Sequence, residues 1–146
     1  MQEAFHFIAV LSCFLFTGAA IYINLVEHPA RMSCPTEVAA TVFGPSYKRA
    51  APVQVSLALV ATAAGALSWL AGESTMWLLG AFLIFSVIPF TIIVTMPTNK
   101  QLLDPALDHS SANTRALLIK WGKLHAVRSV LSLAASVIFL VATISA

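Results

Sequence analysis

The amino-acid sequence predicts an all-α fold, an antiparallel bundle of four transmembrane helices with a short interfacial helix in the first polar loop. The chain is 59% hydrophobic and only 10% charged. Four long apolar stretches carry no basic residue, as expected of segments in lipid, where a charge at the bilayer centre costs several kcal/mol. All eight Lys and Arg residues fall in two segments, Arg31, Lys48 and Arg49 in one and Lys100, Arg115, Lys120, Lys123 and Arg128 in the other.

The positions of the basic residues also predict the orientation of the bundle. Short loops rich in Lys and Arg stay on the cytoplasmic side of a membrane. We therefore expect loops 1 and 3 to be cytoplasmic and both termini to be non-cytoplasmic, in an inner or plasma membrane. The first apolar stretch lacks the basic region and cleavage site of a signal peptide and is expected to remain in the protein. The chain is predicted to be one integral membrane domain, 1–146.

The first half of the chain contains two predicted spans. Residues 4–26 are apolar and long enough to cross the hydrocarbon. A polar segment with several prolines follows, and the interfacial helix is predicted within it at 36–43, where apolar and acidic residues suit a membrane surface. The second span is predicted at 53–70, with small residues on one face that allow another helix to pack closely.

The second half of the chain contains the other two predicted spans. The third covers 75–96, and Pro97 is expected to end it because proline has no backbone N–H. Ser111 or Asn113 is predicted to cap the last helix, at 114–144. The very short outer turn between the second and third spans favours an up-down-up-down bundle.

Polar residues gather on one face of three of the predicted helices. The topology puts the three groups at one depth, near the cytoplasmic interface. Polar groups at membrane depth normally face the interior of a bundle or a water-filled cavity. We therefore predict a pocket formed by Asn24, His28 and Arg31 on helix 1, Thr95 and Asn99 on helix 3, and Trp121, His125 and Arg128 on helix 4.

Several of these residues also have a purely structural interpretation. Arg31 and Arg128 are compatible with anchors that extend to the interface, and Trp121 with an aromatic belt. His28 and His125 differ from them, because each has polar neighbours about one helical turn away. We expect these two histidines to share one functional site.

Signals for metal and redox chemistry are weak. The chain has no HxxxH or HExxH pattern, so no metal site is predicted. Cys13 and Cys34 form no CxxC pair and are expected at different depths as free thiols. A haem held between His28 and His125 remains geometrically conceivable.

The polar segments resemble, in order and at plausible spacing, the signature of the DUF1772 family of anthrone oxygenase-like membrane proteins. The similarity covers nearly the whole chain, and Tyr47 in the first loop also fits. The matching segments are Asn24-x-x-x-His28-Pro29-Ala30-Arg31, Pro89-Phe90-Thr91, Met96-Pro97-Thr98-Asn99-Lys100-x-Leu102 and Trp121-x-x-Leu124-His125-x-x-Arg128.

The resemblance implies a small four-helix membrane enzyme. Characterised fungal members oxidise an anthrone to an anthraquinone with O2, with neither metal nor flavin. Histidine suits the base that this chemistry needs, and fixed hydrogen-bond donors suit the resulting anion. The implied catalytic residues are His28, His125 and Arg128, with either histidine as the base. The implied substrate-binding residues are Asn24, Arg31, Tyr47, Thr95, Asn99 and Trp121.

Three functions stay open at this point. The first is a cofactor-independent oxygenase, with O2 as co-substrate, acting on a small lipophilic anthrone, phenol or quinone-like compound. The second is a non-catalytic subunit of a homo-oligomer or larger membrane complex that binds lipid, quinone or partner helices. A transporter or channel is the third, although no acidic residue is expected at mid-membrane. The net charge of +2 does not indicate a nucleic-acid partner.

Overall fold

The computed structural model describes residues 2–145 and confirms an all-helical bundle. Four helices are long and apolar enough to cross a membrane, as in an integral membrane protein: α1 (Gln2–Met32), α2 (Thr36–Leu70), α3 (Thr75–Leu102) and α4 (Ala112–Ile144). Ser111 caps α4, since its hydroxyl accepts a hydrogen bond from the Thr114 N–H at 3.1 Å. This contact confirms one of the two predicted caps.

The four helices form a closed ring. α1 lies beside α2 and α4, and α3 lies beside the same two helices. The turn between α2 and α3 contains Gly72 at a φ of 97°, a conformation that favours glycine and permits the short connection. Short connections of this kind place consecutive helices antiparallel.

The half of the bundle that contains both chain ends, here called the terminal half, is closely packed around Phe139. A Cβ atom added to Gly65 or Gly80 would lie 2.8 or 2.6 Å from the Phe139 ring. Trp77 and Cys13 complete this fully buried core. The small residues on α2 and α3 therefore allow their backbones to approach the large ring on α4, as the small-residue face of the second span predicted.

The start of α2 differs from the prediction. The helix is continuous from Thr36 to Leu70 and passes through Pro45 and Pro52, so the separate interfacial helix at 36–43 and the loop after it are wrong. Tertiary packing explains the difference, because Phe43 is buried against α4 residues that include Trp121. Prolines are tolerated in such helices where neighbouring groups or water satisfy the freed carbonyls.

Two π-helical turns interrupt the long helices, Ile23–Glu27 in α1 and Thr91–Thr95 in α3. Each turn is followed by one residue and then a proline, Pro29 or Pro97. In a regular α-helix the proline ring would clash with the carbonyl group four residues before it. The wider π-helical turn moves that carbonyl group away from the ring. The expectation that Pro97 ends the third helix is therefore wrong, since α3 continues to Leu102.

Candidate functional site

A cavity of about 200 Å³ lies between the four helices in the half opposite the chain ends, here called the cavity half. The two π-helical turns lie in this half of the bundle, and residues of both contribute to the cavity wall. Most of the lining is apolar. Its charged and polar members include Glu27, Arg31, Ser46, Gln54, His125 and Arg128.

The His125 ring is held by a side chain from the π-helical turn of α1. Its Nδ1 lies 2.7 Å from Asn24 Oδ1, and the Ser129 hydroxyl donates to the same oxygen at 2.5 Å. The Asn24 Nδ2 group donates to the Gly122 carbonyl at 3.2 Å, which fixes the orientation of the amide. Because a carbonyl oxygen can only accept, Nδ1 carries the hydrogen, and Nε2 is the nitrogen left for a ligand.

Arg128 is a buried cation without a carboxylate partner among residues 2–145. Its side chain donates to Gln54 Oε1 at 2.8 Å, and its Cζ atom lies 5.8 Å from the Phe16 ring centroid. The residue is only 8% exposed. A buried charge compensated only by a neutral amide and an aromatic face is unfavourable by itself, so an anionic ligand would stabilise this end of the cavity.

Arg31 has a different environment at the other end of the cavity. It forms an ion pair with Glu27 and also donates to Ser46 Oγ at 3.3 Å. Ser46 donates in turn to Glu27 Oε1 at 2.6 Å, so three side chains from α1 and α2 hold each other in place. The charge of Arg31 is therefore neutralised within the protein.

Aromatic rings cluster beside Arg31, whose Cζ atom lies 5.7 Å from the Phe43 centroid and 5.9 Å from the Trp121 centroid. The Trp121 ring lies 5.2 Å from Phe43 in an edge-on arrangement, 5.3 Å from His28 and 4.9 Å from His125, centroid to centroid. Phe43 also stacks on Tyr47 at 5.8 Å. Trp121, Tyr47 and Phe43 line the cavity, and such rings favour a flat aromatic ligand.

The structure does not bring all of the predicted residues to the cavity. His28 packs against α4 so closely that a Cβ atom on Gly122 would overlap its Nε2. Asn24 reaches the site only through His125. Thr95 and Asn99 are fully buried outside the lining. Among the described residues, no three or more His, Cys, Asp or Glu side chains are grouped to hold a metal ion.

Three lining residues were missed by sequence reasoning. Gln54 had a usable signal, because an amide just inside an apolar span needs a partner in the bundle. Glu27 and Ser46 were assigned to a loop and carried no such signal. Ser46 reaches Arg31 because α2 is continuous through it, whereas Glu27 pairs with Arg31 one helical turn away on α1.

Comparisons with known proteins show which family this chain resembles. The family model described as anthrone oxygenase matches residues 43–138, which include Gln54, His125 and Arg128. An anthrone oxygenase of Aspergillus fumigatus is 37% identical over 70 residues, which are 46% of this chain and 44% of that protein. The chain thus aligns with less than half the length of that relative. No solved structure matches the chain.

Proposed function

This chain belongs to the anthrone oxygenase family, and we propose that it is a membrane oxygenase acting on an acidic, lipophilic aromatic compound such as an anthrone, a phenol or a quinone-like molecule. The observation that carries the proposal is the pair of Arg128 and His125 at one cavity. A base with a free Nε2 next to a cation without a carboxylate partner suits removal of a proton to form a bound anion.

The proposed reaction begins at the methylene group of an anthrone-like substrate. His125 Nε2 accepts a proton from this carbon. The negative charge spreads to the oxygen of the carbonyl group on the same ring, where Arg128 and Gln54 donate hydrogen bonds. The electron-rich anion then transfers electrons to O2. One oxygen atom becomes the new carbonyl and the other leaves as water, so the CH2 group and O2 give C=O and H2O. We propose that O2 is the only co-substrate and that no metal or flavin takes part.

We propose His125 as the base in preference to His28. His125 lines the cavity and has its tautomer fixed by Asn24, whereas His28 packs against Gly122 outside the lining. The sequence left this choice open. The cavity supports it because a base must come within hydrogen-bond distance of the proton that it removes.

The lining of the cavity also supports the proposal that the substrate enters from the lipid bilayer. Its lining includes Val55 on α2 and Ile92 on α3, which are 42% and 59% exposed on the apolar outer surface. α2 packs closely against α3 as far as Phe90 and makes few close approaches beyond it. A compound dissolved in the bilayer would therefore meet the gap between these two helices.

Oxygen uptake by purified protein tests the proposal. Wild-type protein stripped of metal should consume O2 with an anthrone, and chelators should leave the rate unchanged. Arg128→Gln should lose most of the activity because it removes the positive charge that is proposed to hold the anion. Loss of activity on chelation, restored by one metal, would contradict the cofactor-free mechanism. Absence of turnover with every such substrate would favour the accessory-subunit alternative.

We also propose that the α1–α2 and α3–α4 connections are cytoplasmic and that both termini lie on the other side. The clustering of all eight basic residues supports this orientation. A membrane-impermeant thiol reagent added outside intact cells should miss Cys34 and should label a cysteine introduced as Glu73→Cys. Labelling of Cys34 from outside would overturn the orientation.

A further inference from the structure

The cavity has two polar ends, and α2 sets the distance between them. Arg31 is hydrogen-bonded to Ser46, and Arg128 to Gln54. Ser46 and Gln54 are eight residues apart on one helix. A rise of about 1.5 Å per residue separates them by about 12 Å along the axis. The lining residues Ala50 and Ala51 lie between Ser46 and Gln54 on this helix, so the stretch between the two ends is apolar.

Both ends offer hydrogen-bond donors that lack a partner. At one end these are Nε and Nη1 of Arg31 and Nε1 of Trp121, and at the other they are Nε of Arg128 and Nε2 of Gln54. Among the described residues of the lining, every buried polar side-chain atom without a hydrogen-bond partner is an N–H group. Buried donors left unpaired cost free energy, so a ligand with oxygen acceptors at both ends would satisfy the site.

The charge of the two ends differs. Glu27 neutralises Arg31, so that end favours a neutral oxygen such as a hydroxyl or carbonyl group. Arg128 has only the neutral Gln54 and the face of Phe16, so its end favours an ionised oxygen. The two ends would therefore bind chemically different oxygens and fix the direction in which a ligand lies.

We propose that the cavity selects an elongated, flat aromatic compound with an ionised oxygen at Arg128 and a neutral oxygen at Arg31 and Trp121. Arg31 and Trp121 are then specificity-determining residues that place the reactive carbon beside His125. The assignment of that carbon depends on the proposed oxygenase function. The binding preference does not depend on it and can be measured without turnover.

Two stable compounds test this binding preference in a titration of the purified protein. 2,6-Dihydroxyanthraquinone carries oxygens at opposite ends, and 2-hydroxyanthraquinone carries one at a single end. Wild-type protein should bind the first about 10-fold more tightly, the size expected for one hydrogen bond to a charged group. The double variant Glu27→Gln/Arg31→Gln removes both charges together and should abolish the preference. Arg128→Gln should weaken binding of both probes.

A milder pair of variants controls for folding. Trp121→Phe keeps the ring but removes the N–H, and it should reduce the preference. Trp69→Phe makes the same change at an exposed site of α2 outside the cavity and should leave the preference unchanged. Equal affinity of wild-type protein for the two probes, no binding of either, or a preference that survives the double variant would overturn the proposal. A preference without O2 uptake would instead contradict only the oxygenase function.

Discussion

The two halves of this bundle are built from the same four helices but are packed for different purposes. In the terminal half, Gly65 and Gly80 leave room for the Phe139 ring, and large and small residues pack closely together. The cavity half contains both π-helical turns, and two arginines and a histidine line its cavity. Unpaired buried donors and a buried charge are costly. Close packing in the terminal half can therefore stabilise a site in the cavity half that is unfavourable when it is empty.

The largest expected effect is on turnover, and it is tested by making the same His→Gln substitution in each half of the bundle. His125→Gln removes the proposed base and should lower turnover about 100- to 10,000-fold. His6→Gln in the terminal half removes a ring stacked on Trp77 at 4.2 Å and should affect stability but not turnover. His28→Gln should have a smaller effect than His125→Gln. O2 uptake measures all three, and an equal loss at His28 would contradict the choice of base.

The next effect concerns Asn24, which acts as a positioning residue for His125. Asn24→Leu removes the acceptor and should lower turnover about 10- to 100-fold, whereas Asn24→Asp keeps an acceptor and should restore part of the rate. Nitrogen-15 NMR of histidine-labelled protein provides an independent measurement. Neutral His125 should carry its hydrogen on Nδ1 in the wild type and should lose this signature in the Leu variant. A wild-type ring protonated on Nε2 alone would refute the role of Asn24.

A stability effect of intermediate size should appear in the terminal half. Gly80→Ala places a Cβ atom 2.6 Å from the buried Phe139 ring, and such overpacking costs about 1–3 kcal/mol. Gly18→Ala is the matched control, since its Cβ meets nothing within 4 Å and should stabilise the helix by about 1 kcal/mol. Denaturation in mixed micelles measures both changes. If the two variants shift stability in the same direction, the close packing of Gly80 against Phe139 in the terminal half is contradicted.

The smallest expected effect is a difference in turnover between alanine variants of two serines on α4. Ser129 donates to Asn24, whereas Ser132 donates to the backbone carbonyl of Ser129 at 3.0 Å and, within the described residues, makes no hydrogen bond to the side chain of Asn24 or His125. Ser129→Ala should lower turnover about 2- to 10-fold by loosening Asn24. Ser132→Ala should leave it unchanged. Equal rates in the two variants would show that Asn24 holds His125 without help from Ser129.

Part of the site could be predicted because α4 is a regular helix at that point. Trp121, His125 and Arg128 succeed each other at helical spacing, and all three line the cavity. The same reasoning failed on α3, where Thr91 lines the cavity but Thr95 does not. In a regular α-helix, residues four apart share a face. The π-helical turn Thr91–Thr95 adds a residue to one turn and rotates the remainder of the helix.

The first motif lies at the π-helical turn of α1, and its two polar residues have different roles. Asn24 and His28 are four residues apart and were expected on one face of a regular helix. Both side chains do contact Gly122 on α4, but only Asn24 hydrogen-bonds to His125, and neither residue lines the cavity. Sequence spacing could identify these residues as polar groups inside the bundle. It could not identify which of them reach a common cavity.

The sequence by itself determined four helices that are long and apolar enough to cross a membrane, because the hydrocarbon of a bilayer admits long apolar helices and excludes scattered charges. It also indicated the family through polar segments in a fixed order. Only the tertiary structure decided that α2 is one helix through Pro45 and Pro52 and that Gln54 lies beside Arg128. The physical reason is that lipid acts on each segment separately, whereas proline accommodation and the rotation of each polar face depend on the packing of neighbouring helices.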